Sequence, residues 1–215
     1  MSDARTVTII RTGIANTASL AAAFGRLGLR STISDDPKEI ERSELLVLPG
    51  VGSFGSGAAR IADMGIRGIL RDRVGSERPL LAVCLGMQLL CESSEESPGA
   101  RGLGIIGATI RRFPSDAKVP QMGWNEVEAR TSGLVESGTA YFANSYRLTD
   151  NPTGWISSFT DYAGRYVSAM ELNRTLACQF HPELSGTWGM RLLGKWAGAA
   201  ADRSPSAAKP ETQAC

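Results

Sequence analysis

The sequence predicts an α/β domain in which helices cover both faces of a doubly wound, mostly parallel sheet. Two runs, Glu44–Pro49 and Pro79–Cys84, are almost continuously apolar, which is typical of strands buried on both faces. Strand and helix patterns alternate through the first half of the chain. The second half consists of β-rich runs separated by Gly, Pro, Asn and Asp. We therefore expect a central, mostly parallel sheet to which the second half adds antiparallel strands.

The elements of the first half follow in order. The β-branched run Thr6–Arg11 predicts the first strand, and Asn16 is placed to cap a helix that ends at Gly28. A short strand is expected at Thr32–Ser34, and Asp36, followed by proline, opens a short helix. After the strand Glu44–Pro49, helical sequence continues to about residue 73, and a further helix is expected at residues 85–92 after Pro79–Cys84.

The second half predicts six strands, a turn and a last helix. Asn173-Arg174 is placed as a hairpin turn, and Ser185 as the cap of the final helix. The chain has 215 residues, about the size of one domain, and we assign residues 1–203 to it. Residues 204–215 are rich in Ser, Ala, Pro and Lys, which predicts a disordered tail. The six strands are Gly104–Phe113, Val119–Arg130, Thr139–Ala143, Trp155–Thr160, Arg165–Leu172 and Thr175–Phe180.

Composition excludes several classes of function. The 23 basic and 22 acidic residues give a net charge of +1, so there is no electrostatic case for binding nucleic acid or an anionic membrane. Apolar runs are shorter than the roughly 18–20 residues that span a bilayer, and a secretory leader pattern is missing, so we expect a cytoplasmic protein. The 4 cysteines form no C-x-x-C pair, which argues against a zinc cluster, and Cys91, on the predicted helix, and Cys178 are expected in the core.

Cys84 is the candidate nucleophile. It ends an apolar strand and is followed by helical sequence, which is the geometry of a nucleophile elbow. Such a turn needs small residues two positions before and after the nucleophile, and these are Ala82 and Gly86. The helix that begins at Leu85 favours the thiolate, and its first N–H, expected to be free, can donate to an oxyanion. The alternative is an ordinary buried cysteine.

His181 is the candidate base, because it is the only histidine of the chain. It follows the strand Thr175–Phe180 as Cys84 follows its own strand, and parallel strands would end at one edge of the sheet. The spacing His-x-Glu lets Glu183 turn back and orient the imidazole, as the third member of a triad does. A lone histidine is more often structural, and that alternative remains open.

A glycine-rich turn, P-G-V-G-S-F-G at 49–55, follows another buried strand. Its glycines permit positive φ and a close approach of the backbone to a ligand. The turn lacks the Gly-Lys-Ser/Thr of a phosphate loop. By itself it is an ordinary β–α turn, but beside Cys84 one of its amides could supply a second oxyanion donor.

Three segments together resemble the class I, or triad, glutamine amidotransferases: residues 49–55, C-L-G-M-Q-L-L at 84–90 and Q-F-H-P-E at 179–183. Within that class, V-P-Q-M-G-W-N at 119–125, Y-F-A-N-S-Y at 141–146 and D-Y-A-G at 161–164 are similar to the glutaminase subunits of imidazole glycerol phosphate synthases. The resemblance implies a flavodoxin-like fold and hydrolysis of glutamine through a Cys84 thioester. It also implies delivery of ammonia to a (β/α)8 cyclase subunit in histidine biosynthesis, without a metal or organic cofactor.

The resemblance also implies roles for individual residues. The catalytic residues would be Cys84, His181 and Glu183. The oxyanion hole would be formed by backbone amides of Leu85, Val51 and Gly52. The substrate would be bound by Gly50, Gln88, Ser145 and Tyr146. The partner interface would include Asn16, Met122 and Trp124.

The chain departs from the family pattern at several positions. Arg11–Ala15 replaces most of the usual Asp-Tyr-Gly-x-Gly loop before Asn16, and this loop faces the partner in the family. Gln121 and Asn144 stand where the family has histidines, and Leu184 stands where it has a lysine that contacts the partner. Three alternatives therefore stay open: a paralogous glutaminase that feeds a different amination such as a sugar amidotransfer, a non-catalytic regulatory relative, and a free-standing cysteine hydrolase.

Overall fold

The computed structural model describes residues 5–13, 16–130 and 133–199. The strands are β1 (Thr6–Ile10), β2 (Arg30–Ser34), β3 (Leu45–Leu48), β4 (Leu80–Val83), β5 (Cys91–Ser94), β6 (Ile106–Arg112), β7 (Gln121–Val127), β8 (Gly138–Asn144), β9 (Tyr146–Arg147), β10 (Ile156–Asp161), β11 (Arg165–Leu172) and β12 (Thr175–Cys178). The helices are α1 (Thr17–Arg26), α2 (Pro37–Arg42), α3 (Phe54–Asp63), α4 (Arg67–Gly75), α5 (Leu85–Leu89) and α6 (Gly186–Ala199).

A 7-stranded sheet in the order β10-β11-β12-β4-β3-β1-β2 forms the centre of the molecule. The strands from β12 to β2 are parallel, whereas β11 and β10 are antiparallel additions. This confirms the predicted doubly wound sheet with antiparallel strands from the second half. Because β3, β4 and β12 are adjacent and parallel, the segments that follow them emerge side by side at one edge of the sheet.

The apolar runs of β3 and β4 are buried on both faces of the sheet, as expected. Leu46 and Leu48 pack on the face covered by α3, α4 and α5, while Leu45 and Val47 pack on the face covered by α1 and α6. Asn16 caps α1 as predicted, since its Oδ1 accepts the N–H of Ser19 at 3.2 Å. The rigid layers on both faces hold the strand ends in fixed positions.

The helix after β4 is shorter than the sequence predicted. We expected a helix over residues 85–92 with Cys91 on its face, but α5 ends at Leu89 and Cys91 begins β5. The carbonyls of residues 89–91 accept hydrogen bonds from N–H groups of residues 103–106, so the chain leaves the helix and pairs with β6. Cys91 is nevertheless buried in the core, as expected.

The helical stretch expected up to residue 73 is two helices. Gly65 has a φ of 66° and separates α3 from α4. The N–H of Ile66 donates to the carbonyl of Ile61 at 3.3 Å, which closes the end of α3. Glycine reaches positive φ without the steric cost of a side chain, so the break coincides with the residue that tolerates it best.

Several strand bounds also differ from the predictions. β2 begins earlier than expected, and the run Val119–Arg130 shrinks to β7, whose ladder begins just after Pro120, a residue without an N–H to donate. β7 and β8 form a two-stranded ribbon of their own, and β5, β6 and β9 form a small third sheet. The two-residue β9 is too short for a sequence pattern to mark. The hairpin turn at Asn173-Arg174 is confirmed, with Asn173 at a φ of 52°.

The predicted tail, residues 204–215, lies outside the described residues, as do Ile14 and Ala15 of the loop after β1. None of the helices in the described ranges has the length and apolar character needed to cross a membrane.

Candidate active site

The turn after β4 places Cys84 in a strained backbone conformation, with φ 54° and ψ −109°. Its N–H donates to the carbonyl of Cys178 at 2.7 Å, and its carbonyl accepts the N–H of Gln88 at 3.2 Å. A Cβ on Gly86 would lie 2.0 Å from the carbonyl oxygen of Leu48, so only glycine fits there. Positive φ at a non-glycine residue is unfavourable and persists only where the surroundings impose it. The structure thus builds the predicted nucleophile elbow.

His181 and Glu183 meet beside this turn. Pro182–Leu184 forms a 3₁₀ turn that carries the Glu183 carboxylate back to the ring, where Oε1 lies 2.9 Å from Nδ1 of His181. Cys84 lines the same cavity as His181 and interacts with its ring closely enough to raise the pKa of the imidazole. The three candidate catalytic side chains therefore form one continuous chain of contacts at the sheet edge.

The pKa of His181 reflects these contacts. Burial by itself lowers the pKa, but the hydrogen bonds and negative charges of Cys84 and Glu183 outweigh it and raise the pKa from 6.5 to about 10. At neutral pH the ring is consequently an imidazolium, which stabilises a thiolate beside it. Burial instead raises the pKa of the Cys91 thiol to about 12 and that of Cys178 well above its ordinary value. Those two cysteines therefore stay protonated in the core.

The β7–β8 ribbon holds the His181 segment in place. The N–H of His181 donates to the carbonyl of Tyr141 in β8 at 2.9 Å. Ser185 directly precedes α6 as expected, and its carbonyl accepts the N–H of Gly189 at 3.0 Å. Its hydroxyl accepts the N–H of Tyr141 at 3.0 Å and donates to the carbonyl of His181 at 2.6 Å. A displacement of this ribbon would consequently reach His181 through three hydrogen bonds.

The backbone N–H of Leu85, the expected first oxyanion donor, already makes a hydrogen bond within the protein. We expected the N–H of Leu85 to be free, but it donates to the carbonyl of Gly50 at 3.2 Å. The glycine loop that supplies this carbonyl is partly open to solvent: Val51 is exposed, and Gly52 has a φ of 92°. In this arrangement a carbonyl oxygen, rather than an amide hydrogen, points from the loop toward the first donor.

A cavity of about 240 Å³ opens beside Cys84. It brings together six of the residues singled out in the sequence for the oxyanion hole or the substrate, with Cys84 and His181. The structure adds Glu96, whose Oε2 accepts the N–H of Phe54 at 2.6 Å, and Asn144. Gly50, which we expected to bind the substrate, does not line the cavity: it is buried, and its carbonyl accepts the N–H of Leu85. The residues that line the cavity are Val51, Gly52, Cys84, Leu85, Gln88, Glu96, Pro120, Ala143, Asn144, Ser145, Tyr146 and His181.

Two polar residues of the site were missed by the sequence analysis. Glu96 follows β5 in a polar stretch in which no pattern distinguishes one glutamate from its neighbours. Gln179 is completely buried, and its Nε2 lies 3.6 Å from the Sγ of Cys84. Its position within Q-F-H-P-E was the available signal, since a buried amide directly before the candidate histidine needs partners.

The residues expected at a partner interface lie outside the cavity. Met122 and Trp124 are 67% and 58% exposed, which is unusual for side chains of this size. Leu184 is also exposed, and Trp124 lies near the start of α6, within 3.9 Å of a Cβ placed on Gly186. Asn16 is exposed at the start of α1.

The comparison with protein families decides the assignment. The model of the family "Glutamine amidotransferase class-I" matches residues 8–196. The chain belongs to the class I glutamine amidotransferases. It is 41% identical to the "Imidazole glycerol phosphate synthase subunit HisH" of Methanopyrus kandleri, over 88% of this chain and 96% of that relative. It is 36% identical to the protein of the same name from Symbiobacterium thermophilum, over 88% of this chain and 92% of that one.

Solved structures show the same fold. One described as a glutamine amidotransferase superimposes with a TM-score of 0.74 at 20% identity, covering 90% of this chain and 98% of that one. A chain from the structure of PurLQS of Thermotoga maritima superimposes with a TM-score of 0.73 at 14% identity, over 91% of this chain and 99% of that one. The flavodoxin-like amidotransferase fold expected from the sequence is therefore confirmed.

In this amidotransferase, two amides stand at positions 121 and 144, where the resemblance led us to expect histidines. The Tyr166 hydroxyl donates to Oε1 of Gln121 at 2.7 Å, and Nδ2 of Asn144 donates to the carbonyl of Tyr146 at 3.0 Å. Gln121 and Asn144 are also directly paired across the ribbon. Neutral amides at these positions leave His181 as the one imidazole of the site.

Proposed function

We propose that this amidotransferase hydrolyses glutamine at Cys84 and supplies the ammonia to a cyclase subunit that makes imidazole glycerol phosphate. The observation that carries the proposal is the contact of Cys84, on its strained turn, with a His181 ring held by Glu183. Identity above 30% to relatives named imidazole glycerol phosphate synthase subunit HisH, over most of both chains, supports this role over a paralogous amination. The cytoplasmic location remains a prediction.

The cavity has the polarity that the amino-acid end of glutamine requires. Both hydrogens of the Gln88 amide nitrogen are used, by the carbonyl of Tyr146 at 3.2 Å and by Oε1 of Gln179 at 2.9 Å, which leaves Oε1 of Gln88 as an acceptor. The Glu96 carboxylate lines the same cavity. We assign these two groups to the α-ammonium of glutamine. Ser145, Tyr146 and the glycine loop are assigned to its α-carboxylate.

In the first half-reaction the Cys84 thiolate attacks the carboxamide carbon of the bound glutamine. The carbon–nitrogen bond then breaks, and the His181 imidazolium gives its proton to the departing nitrogen. The products of this step are ammonia, a γ-glutamyl thioester and a neutral imidazole, with Glu183 still accepting from Nδ1.

In the second half-reaction the neutral His181 takes a proton from water, and the resulting hydroxide attacks the thioester carbon. The carbon–sulfur bond breaks to give glutamate and the Cys84 thiolate, and the imidazolium is restored. Each half-reaction passes through a tetrahedral oxyanion, which needs hydrogen-bond donors at a fixed place.

The occupied donor at Leu85 implies that the resting protein is slow. The Gly50 carbonyl must turn away before the Leu85 N–H can meet an oxyanion, and turning the Gly50–Val51 peptide would bring the Val51 N–H inward as the second donor. Losing one oxyanion donor typically lowers a rate about 10²–10³-fold. We therefore assign control of the rate to this peptide.

The partner is proposed to be a (β/α)8 cyclase that docks over the mouth of the cavity. Met122, Trp124 and Leu184 are exposed apolar side chains, and we assign them, with the exposed Asn16, to the surface that meets the partner, which we call the docking face. Leu184 replaces a lysine usual in the family, so the opposing surface of this partner is expected to be apolar rather than acidic there.

The test is glutamine turnover by the protein alone, with the cyclase of the same genome, and with that cyclase and its nucleotide ligand. We expect slow turnover alone and a strong increase with the ligand-loaded partner, together with glutamine-dependent formation of imidazole glycerol phosphate. Glutamine turnover that feeds another amination would support the paralogue instead. Full activity of the isolated protein would support a free-standing hydrolase.

A further inference from the structure

A buried hydrogen-bond chain connects the cavity to the nucleophile by a route that avoids His181. Gln88, which lines the cavity, donates from Nε2 to Oε1 of Gln179 at 2.9 Å. Gln179 in turn lies with Nε2 at 3.6 Å from the Sγ of Cys84, within the range of hydrogen bonds to sulfur. The Gln179 side chain has no solvent exposure, so this amide has no competing partner in water.

The direction of this chain is fixed by a backbone carbonyl. The Gln88 nitrogen also faces the carbonyl of Tyr146, at 3.2 Å, and a carbonyl oxygen only accepts hydrogen bonds. Gln88 must therefore donate an N–H to Gln179, and the side-chain oxygen of Gln179 must accept it. That leaves the nitrogen of Gln179 facing Cys84. Turning either amide over would put two acceptors face to face in a buried site.

We propose that Gln179 is a further catalytic residue, whose amide N–H donates to the sulfur of Cys84 and stabilises the thiolate. This proposal rests on the function proposed above. The amide differs from His181 in one respect that matters for the reaction: it does not titrate. Gln179 therefore offers the sulfur a donor that does not depend on the protonation state of His181, both when the thiolate attacks and when it leaves the thioester.

The test uses the isolated, full-length chain and the rate of Cys84 alkylation by iodoacetamide as a function of pH. Gln179→Leu removes the donor at similar size, and Gln179→Met removes it in an unbranched side chain; neither adds a charge beside the sulfur. A hydrogen bond to a charged group is strong enough that its loss should move the alkylation midpoint upward by about one pH unit. Both variants should show this shift.

The controls separate this effect from general damage. Thr175→Val removes a buried hydroxyl from the other end of β12 and should leave the alkylation midpoint unchanged. Cys84→Ala measures labelling at other cysteines. The variants leave intact the titratable groups near the sulfur, which are His181, Glu183, Cys178, Tyr166 and Glu96.

With the cyclase bound, both Gln179 variants should lower the kcat of glutamine hydrolysis roughly tenfold, while ammonia-supported turnover by the cyclase stays the same. Folded variants that alkylate with the wild-type midpoint would overturn the proposal. If neither variant folds, the wild-type ¹⁵N side-chain resonance of Gln179 decides: it should titrate with the alkylation midpoint and stay constant in Cys84→Ala, and a flat resonance in wild type refutes the hydrogen bond.

Alkylation does not depend on glutamine turnover. A protein that fails to hydrolyse glutamine with its partner would therefore contradict the proposed function while leaving the test of the Gln179 hydrogen bond intact.

Discussion

Two turns leave neighbouring parallel strands at the same edge of the sheet, and they are held very differently. The turn after β4 is buried, and both backbone groups of Cys84 are hydrogen-bonded. The loop after β3 exposes Val51 and passes through the positive φ of Gly52. Its hydrogen bond to the nucleophile turn runs from the N–H of Leu85 to the carbonyl of Gly50.

The difference indicates a division of labour. The nucleophile and its imidazole are built into the core, so they are in place in the free protein. The oxyanion hole depends on one peptide of the open loop, so it can be completed when a partner docks. A shift of such a peptide from 1:99 to 99:1 needs about 5.5 kcal/mol of differential binding, which a protein interface can supply.

The largest effect on activity should come from removing the sulfur of Cys84, the reacting atom of the rigid turn. Cys84→Ala should abolish glutamine hydrolysis, because no other described cysteine is both accessible and next to His181. Fold and docking should survive, since the change is small and next to the cavity. Cyclase turnover with added ammonium salts is the control. Residual glutaminase activity above a few per cent of wild type in a clean preparation would contradict the assignment.

A change in the open loop should have a smaller, conditional effect. Val51→Pro removes the amide hydrogen proposed as the second oxyanion donor, and it should lower the partner-activated rate about 10²–10³-fold, toward the resting rate. Val51→Ala keeps the amide and should remain activated, because the Val51 side chain is exposed. Steady-state glutamine turnover with the ligand-loaded cyclase measures both. Equal activated rates for the two variants would place the second donor elsewhere.

Tight packing of the rigid turn predicts a loss of stability when a side chain is added at Gly86. A Cβ on Gly86 would lie 2.0 Å from the carbonyl oxygen of Leu48, so Gly86→Ala should lower the free energy of unfolding by about 1–3 kcal/mol or more. Gly68→Ala in α4 is the matched control, since its Cβ meets nothing within 4 Å and helices favour alanine. Urea unfolding compares them, and equal midpoints would mean that the turn relaxes easily.

Most of the sheet could be predicted because local patterns and burial agree there. The runs that became β3 and β4 are apolar throughout, and the Asn173-Arg174 turn joins two clear strands. The helix after Cys84 was predicted too long because the apolar sequence continues beyond its observed end. The helix ends early because N–H groups of residues 103–106 donate hydrogen bonds to the carbonyls of residues 89–91. These hydrogen bonds join residues that are distant in the sequence, so a local sequence pattern does not predict them.

The residues of the candidate site also fall into those with local sequence signals and those placed by long-range contacts. Cys84, His181 and Glu183 were found because a strand end, small neighbours and a short His-x-Glu spacing are local signals. Glu96 reaches the cavity through contacts with the distant start of α3. The Gly50 carbonyl at the Leu85 N–H is a choice between two peptide orientations, and glycine permits both.

The smallest effects concern the protonation of His181, and one histidine in the chain makes them measurable. Wild type should show a single imidazole C2–H resonance that titrates with a midpoint near the pKa of about 10. Burial lowers this pKa, and Cys84 and Glu183 together raise it. Cys84→Ala and Glu183→Gln should each lower the midpoint, because each removes an interaction that raises the pKa of the ring.

The double variant sharpens the comparison further. With both Cys84 and Glu183 neutralised, only the burial of His181 acts on its charge, so the midpoint should fall below the ordinary value of 6.5. The rigid pair would then have lost the imidazolium that serves as the acid for ammonia. Val51→Ala, in the open loop, should leave the titration unchanged. A double variant that still titrates above 6.5 would show that another negative group acts on the ring, and the Glu96 carboxylate in the same cavity would be the first candidate to remove.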